Sequence, residues 1–165
     1  MREIKGVAIG TVLEIDPAAP ALIVEFPWMS PPQKSHWAPI AAAMSGASRG
    51  AYFMPEVGDE VLVAFEHGQF DHPYVVGFLW NGVDRPPAVE QRMRLFHSVN
   101  GHEIAFYDGP PTGGDLGFVR IRDAHGNAIE LANGRVSITS LGSLQIRAPN
   151  VVINGRVVSP VGPPI

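Results

Sequence analysis

The chain has no cysteine among its 165 residues, which excludes disulfides and thiolate metal sites. Its 6 histidines contain no His-x-His pair. No apolar run approaches the roughly 20 residues of a membrane-spanning helix. The opening MREIKGVAIGTV lacks the continuous apolar core of a secretory signal. Synthesis in the cytoplasm is therefore the expectation, and export would need another carrier. Helical periodicity is missing too: only Ala38–Ala47 could form a short helix, and Pro39 and Gly46 limit it. Basic residues are scarce where the first half would need them. Up to Glu90 there are 5 Lys and Arg against 11 Asp and Glu, a net of −6; from Gln91 onward 7 Arg face 5 acids, a net of +2. An acidic first half is poor material for gripping phosphate backbones.

What is abundant is turn chemistry. There are 18 Gly and 16 Pro without any low-complexity period, so they punctuate many short strands. Hydrophobic residues make up 45%, enough for a packed core and too many for a disordered chain.

In the first part, Val7–Ile15 places Val7, Ile9, Thr11, Leu13 and Ile15 on one face of a strand that Asp16-Pro17 stops. Ala21–Phe26 is a second strand, and His36–Ile40 resumes an extended segment after a polar, Pro-rich loop. GAYFMPEVGDEVLVAFEHG, Gly50–Gly68, gathers four carboxylates and His67. Its chemistry reads as architectural. Pro55–Asp59 has the residues of a turn: Pro55 sets one φ, Gly58 permits a positive φ, and Asp59 accepts backbone hydrogen bonds. Val61, Val63 and Phe65 then face one way, and Glu60 and Glu66 share the parity of Leu62 and Ala64 at the ends of the strand. Carboxylates spread along a strand do not converge on a reacting atom. Tyr74–Trp80 completes the series before Asn81-Gly82. About five strands with one irregular insertion predict a small closed barrel of the OB type.

After Asp84-Arg85-Pro86-Pro87, a stiff linker, the pattern changes. Apolar pairs at i, i+2 recur: Ile104/Phe106, Val119/Ile121, Ile129/Leu131, Val136/Ile138, Leu144/Ile146 and Val151/Ile153. Asn133-Gly134, Leu141-Gly142, Pro149-Asn150 and Asn154-Gly155 separate the later ones, as tight turns would. No helix is available to cover such a sheet. One chain alone buries too little apolar surface here to offset the entropy of ordering it. Three identical chains around one axis would share the core and remove free edges. A β-meander folded onto the barrel is the simpler alternative.

Residues 6–90 resemble the OB-fold domain of phage baseplate assembly protein V and the VgrG-type spike proteins of contractile injection systems. The resemblance is carried by Phe26-Pro27-Trp28, Ser35-His36-Trp37-Ala38, the whole of Gly50–Gly68, and His72–Gly82. Where the family usually has Gly-Arg-Val-Lys-Val, this chain has Ala21-Leu22-Ile23-Val24-Glu25. The resemblance implies an all-β protein: an OB-fold domain over 1–90, with its linker near 83–90, and an intertwined triple-stranded β-helix over 91–165. It implies a homotrimeric spike at the centre of a baseplate, non-enzymatic, assembled in the cytoplasm into a tail-like particle. Val119, Ile121, Ile129, Leu131, Val136, Ile138, Leu144, Ile146, Val151 and Ile153 would form the trimer core. A hub protein would engage the OB end, and a PAAR-type tip protein would bind the tail Ser159, Pro160, Val161, Gly162, Pro163, Pro164 and Ile165. The target envelope would be met on firing. Larger members carry a hydrolase domain between barrel and helix or an effector after it, and neither is expected here.

Some spikes of this family hold an iron at the apex through His-x-His pairs. Without such a pair, and with His125 as the last histidine, no metal or cofactor is expected, and His36 is read as part of the barrel's packing. Two other functions compete. A β-helical carbohydrate-active enzyme needs converging carboxylates, for which His97, His102, Glu103, Asp108, Asp115 and Asp123 are candidates scattered through predicted turns. An OB-fold nucleic-acid binder is opposed by the −6 of the first half.

Overall fold

The computed structural model describes residues 3–158. The chain divides between Pro86 and Pro87 into two units, and both are built of strands. Among the described residues the only helical turn is the 3-10 segment Glu66–Gly68.

The first unit contains β1 (Val7–Asp16), β2 (Ala21–Phe26), β3 (Gln33–Lys34), β4 (Ala38–Pro39), the small hairpin β5 (Ser45–Gly46) and β6 (Arg49–Gly50), β7 (Glu60–Phe65) and β8 (Pro73–Phe78). β2 and β7 flank β1, and β8 extends the sheet beyond β7. β4 pairs with β2 through Leu22 and Ala38. Just beyond it, Ile40 bridges Val75 in parallel, and the Ala41 N–H donates to the Val75 carbonyl at 2.8 Å. That bridge closes the circuit β1-β2-β4-β8-β7 into an OB-type barrel. The short helix that Ala38–Ala47 could have formed is absent. Pro39 and Ile40 are drawn into the sheet, and Ser45–Gly46 becomes half of a hairpin.

Val12, Leu22, Val24, Phe26, Ala38, Val61, Val63 and Val75 are fully buried. The Phe26 ring meets Phe65 at 5.7 Å and Phe70 at 5.6 Å. β7 faces inward with Val61, Val63 and Phe65, as its alternation predicts. β1 does the reverse. Its inner residues are Ala8, Gly10 and Val12, while Val7 and Ile9 stand about half exposed on the outside. The reason is space. A Cβ on Gly10 would collide with the Val24 side chain, lie 2.8 Å from the Glu25 carbonyl oxygen and 3.1 Å from Phe26 Cδ1. A bulge between Val12 and Glu14 then turns Ile15 toward the core. Gly10→Ala will therefore destabilise the barrel by about 1–3 kcal/mol, the usual cost of overpacking, read as a lower midpoint in chemical denaturation. An unchanged midpoint would mean that β2 yields freely.

The turn before β7 is built as its residues dictate. Gly58 has φ 104°, the Glu56 N–H donates to Asp59 Oδ2 at 2.9 Å, and the Asp59 N–H donates to the Glu56 carbonyl at 3.2 Å. Val12 and Gly58 tie this turn to β1. His36 is a correction. Its side chain is largely exposed and sits 3.5 Å from Asp71. The residue that packs is Ser35, whose hydroxyl accepts the Val24 N–H inside the barrel.

The second unit is a meander: β9 (Met93–His97), β10 (Glu103–Asp108), β11 (Gly117–Arg122), β12 (Ala128–Ala132) and β13 (Arg135–Thr139), each antiparallel to the next. A two-stranded hairpin, β14 (Val152–Ile153) and β15 (Arg156–Val157), follows. Asn133-Gly134 and Asn154-Gly155 both have two positive φ values, the geometry of a type I′ turn and the reason for the Asn-Gly pairs.

Candidate functional site: an uncovered apolar sheet face

The register of the meander collects the i, i+2 pairs of four strands on one face. Ile104 lies opposite Ile121, and Phe106 opposite Val119. Val119 and Ile121 oppose Leu131 and Ile129, which in turn oppose Val136 and Ile138. Phe96 continues the row from β9, opposite Ile104. These nine side chains are 39–66% exposed. A face this apolar and this open marks a surface made to be covered.

The other face is charged and is the better buried one. Glu103 is 8% exposed. Its Oε1 lies 2.8 Å from Arg120 Nη2, and its Oε2 accepts from Arg122 Nη2 at 3.3 Å. Arg120 also reaches Glu130 at 3.8 Å and places its guanidinium carbon 4.5 Å from the Phe118 ring centre. Tyr107 packs beside Phe118 at 5.5 Å. A sheet that shields its charges and presents its aliphatics to water is inverted for an isolated domain.

Of the predicted core residues, Val119, Ile121, Ile129, Leu131, Val136 and Ile138 come together here. Leu144 and Ile146 lie in no strand of this chain, and Val151 and Ile153 belong to the region of the β14–β15 hairpin. Ser159–Ile165 fall outside the described residues. Sequence reasoning left out Phe96, Ile104 and Phe106 as members of this face. The signal was available for two of them, since Ile104/Phe106 is a pair of the same type, but Phe96 joins only through cross-strand register.

The six residues offered as an enzyme's acid–base set do not converge. Glu103 is no turn residue: it sits in β10 under its two arginines. His97 lies opposite it in β9. Asp108 pairs with Arg94 at 2.7 Å. Asp115 accepts the Gly117 N–H, and His102 Nδ1 accepts the Ala124 N–H. Asp123 accepts from the Asn127 side-chain amide and from the backbone of Asn127 and His125. Those bonds, led by the Asn127 side chain, hold its carboxyl below the usual carboxylate range. Each of these groups other than His97 is occupied in shaping a turn or a strand. Among the described residues no three His, Asp or Glu side chains gather as metal ligands would.

Residues 8–80 match the family described as the type VI secretion system/phage-baseplate injector OB domain. The chain is similar to the type VI secretion system spike protein VgrG5 of Pseudomonas aeruginosa, 32% identical over 56% of this chain and 11% of that protein. It is similar also to the spike protein VgrG3 of Vibrio cholerae, 32% identical over 39% of this chain and 7% of that protein. VgrG2a of Pseudomonas aeruginosa is 27% identical over 48% of this chain and 10% of its own length. The chain thus spans about a tenth or less of the length of these curated relatives.

Proposed function

We propose that this chain, whose first unit belongs to the injector OB-domain family of type VI secretion systems and phage baseplates, is a non-enzymatic structural subunit of the central spike of a contractile injection machine. Three copies associate through the second unit. The observation that carries this reading is the open apolar face of β10–β13, with Phe96 at its margin. Around a three-fold axis the three faces turn inward as one core, and the charged faces become the outside of a three-sided β-helical prism. A core shared in this way unfolds cooperatively and leaves few free strand edges, so the prism is stiff enough to transmit a push. Its task is mechanical: to be driven into the target envelope when the machine fires. The particle is assembled in the cytoplasm.

The barrels engage a hub protein of the baseplate, and the tail Ser159–Ile165 carries a PAAR-type tip protein. The first unit, Met1–Pro86, holds 5 Lys and Arg against 10 Asp and Glu, a net of −5, which disfavours nucleic acid as a partner. Mass in solution tests the core of the proposal: light scattering should return three times 17.7 kDa, and a stable, folded monomer would sink it. Removing Ser159–Ile165 is expected to abolish binding of the tip protein while the mass stays unchanged. Undiminished binding by the truncated chain would move the tip contact elsewhere.

A further inference from the structure

Residues 37–55 run from β4 through the β5–β6 hairpin to the turn before β7, and Arg49 is their single charged residue. About a quarter of an ordinary chain is charged, and those residues concentrate on the surface. Yet residues 41–50 are exposed throughout, with Met44 at 56%, and Tyr52 beyond them is 61% exposed. An exposed stretch poor in charge and supplied with Tyr, Phe, Met and one Arg has the composition of the centre of a protein interface.

The stretch is held in a set shape. The Ile40–Val75 bridge fixes one end and the buried Pro55 the other. Ser45 pairs with Gly50 and Gly46 with Arg49, and the Ala51 N–H donates to the Met44 carbonyl at 2.8 Å. Position 50 requires glycine: its φ is 154°, and a Cβ would lie 2.6 Å from the Met44 carbonyl oxygen. Between the hairpin and the barrel lies a pocket of about 560 Å³, within the size range of ligand sites. Ile40 and Met54, which pack on the barrel core, line it together with Met44, Tyr52 and Phe78. Arg49 belongs to the same lining. Its guanidinium is folded back over Gly46, where a Cβ would lie 3.0 Å from Cζ and 3.1 Å from Nε. Among the described residues no carboxylate pairs with it, unlike Arg94, Arg120 and Arg122. A guanidinium laid at an apolar pocket without an acid is placed to receive one.

We propose that this pocket docks a segment of a different protein, which seats a bulky apolar side chain among Met44, Tyr52 and Phe78 and sets a carboxylate on Arg49. A second copy of this chain is a poor occupant, because first units at a net of −5 each repel one another. The same charge turns acids away elsewhere on the unit. The uncharged surroundings of Arg49 therefore fix where the partner's carboxylate lands, which sets register. Every residue of the site lies in the first unit, so it stands apart from how the second units associate.

The test uses the full chain with isotope-labelled methionine methyl groups and short peptides as probes. Acetyl-Phe-Glu-amide should shift the Met44 and Met54 resonances saturably. Met29, which borders a separate pocket, and Met93 in the second unit should not move. Acetyl-Phe-Gln-amide and acetyl-Ala-Glu-amide should each bind about tenfold more weakly, as loss of one charge-assisted bond or one apolar anchor implies. Arg49→Gln should bring the Glu probe down to the affinity of the Gln probe. In Gly46→Ala the nearest atoms to the new methyl are all of Arg49, so the Glu probe should weaken several-fold and the Gln probe stay as it was. Equal affinities for the Glu and Gln probes overturn the site, as does the lack of any saturable shift or an equal shift of all the methionines. A mass that grows with concentration in the parent but not in Arg49→Gln would give the pocket to a second copy and overturn it too. A folded single chain that selects the Glu probe keeps the docking site and removes the three-copy reading; a three-copy chain that binds no probe does the reverse.

Discussion

On the three-copy reading, Ile121→Asp is expected to abolish the three-copy mass and leave a single chain that keeps its folded barrel. Ile121 sits at the centre of the apolar face, between Ile104 and Ile129, and is half exposed when the chain is alone. If the face stays open to water, a carboxylate there costs about 1 kcal/mol, the span of strand propensity between Ile and Asp. If three faces close on one another, each copy forfeits about 2 kcal/mol of apolar burial. It must also desolvate an unpaired charge, at several kcal/mol more. With three such charges near one axis, no compensation within the prism is large enough. Light scattering on the variant should show single-chain mass, with circular dichroism retaining strand signal from the barrel. Thr139→Asp, on the polar face, is the matched control and should keep the parent's mass. Equal behaviour of the two variants would end the case for a shared core.

Glu103→Ala is expected to cost about 3 kcal/mol of the second unit's stability, at the low end of the range for breaking a buried ion pair. Its carboxylate is almost wholly shielded and serves two guanidinium groups. Removing it leaves Arg120 with only the more distant Glu130, while Arg122, 43% exposed at its side chain, recovers some hydration. Asp108→Ala is the informative contrast. Its pair with Arg94 is as short, 2.7 Å, but both side chains are about two-thirds exposed, so the expected loss is below about 1 kcal/mol. Denaturation midpoints for the two variants should therefore separate clearly. If they coincide, burial is not what gives Glu103 its weight. The cost of breaking the cluster is not its net contribution, since an apolar replacement of the whole set could be neutral.

Much of the barrel was legible because its signals are local. Alternation in Glu60–Phe65 and the Pro55–Asp59 turn need only neighbouring residues to be read, and both stand as expected. β1 misleads because its apolar parity, Val7 and Ile9, is the outer one. Gly10 is inside for a reason located on β2, where Val24 and Phe26 leave no room for a side chain. Ala38–Ala47 looked as though it could be helical because residue propensity does not include the bridge from Ile40 to Val75. Glu103 looked like a scattered turn acid, since nothing in its neighbourhood announces arginines 17 and 19 residues away.

By itself the sequence determined most of the longer strands, the Pro55–Asp59 and Asn-Gly turns, and the division into an acidic first part and a basic second part. It also determined which residues are apolar at every second position, because a strand's period is local and needs no partner. Tertiary structure alone decided which side of β1 faces inward. It placed Phe96, Ile104 and Phe106 in one face with Val119–Ile138, and it set a charged cluster on the opposite side. Register between strands is a long-range property: shifting any one by a single residue would have turned its apolar set to the other face. That register leaves the second unit with its aliphatic side outward, and among the described residues no strand of that unit covers it.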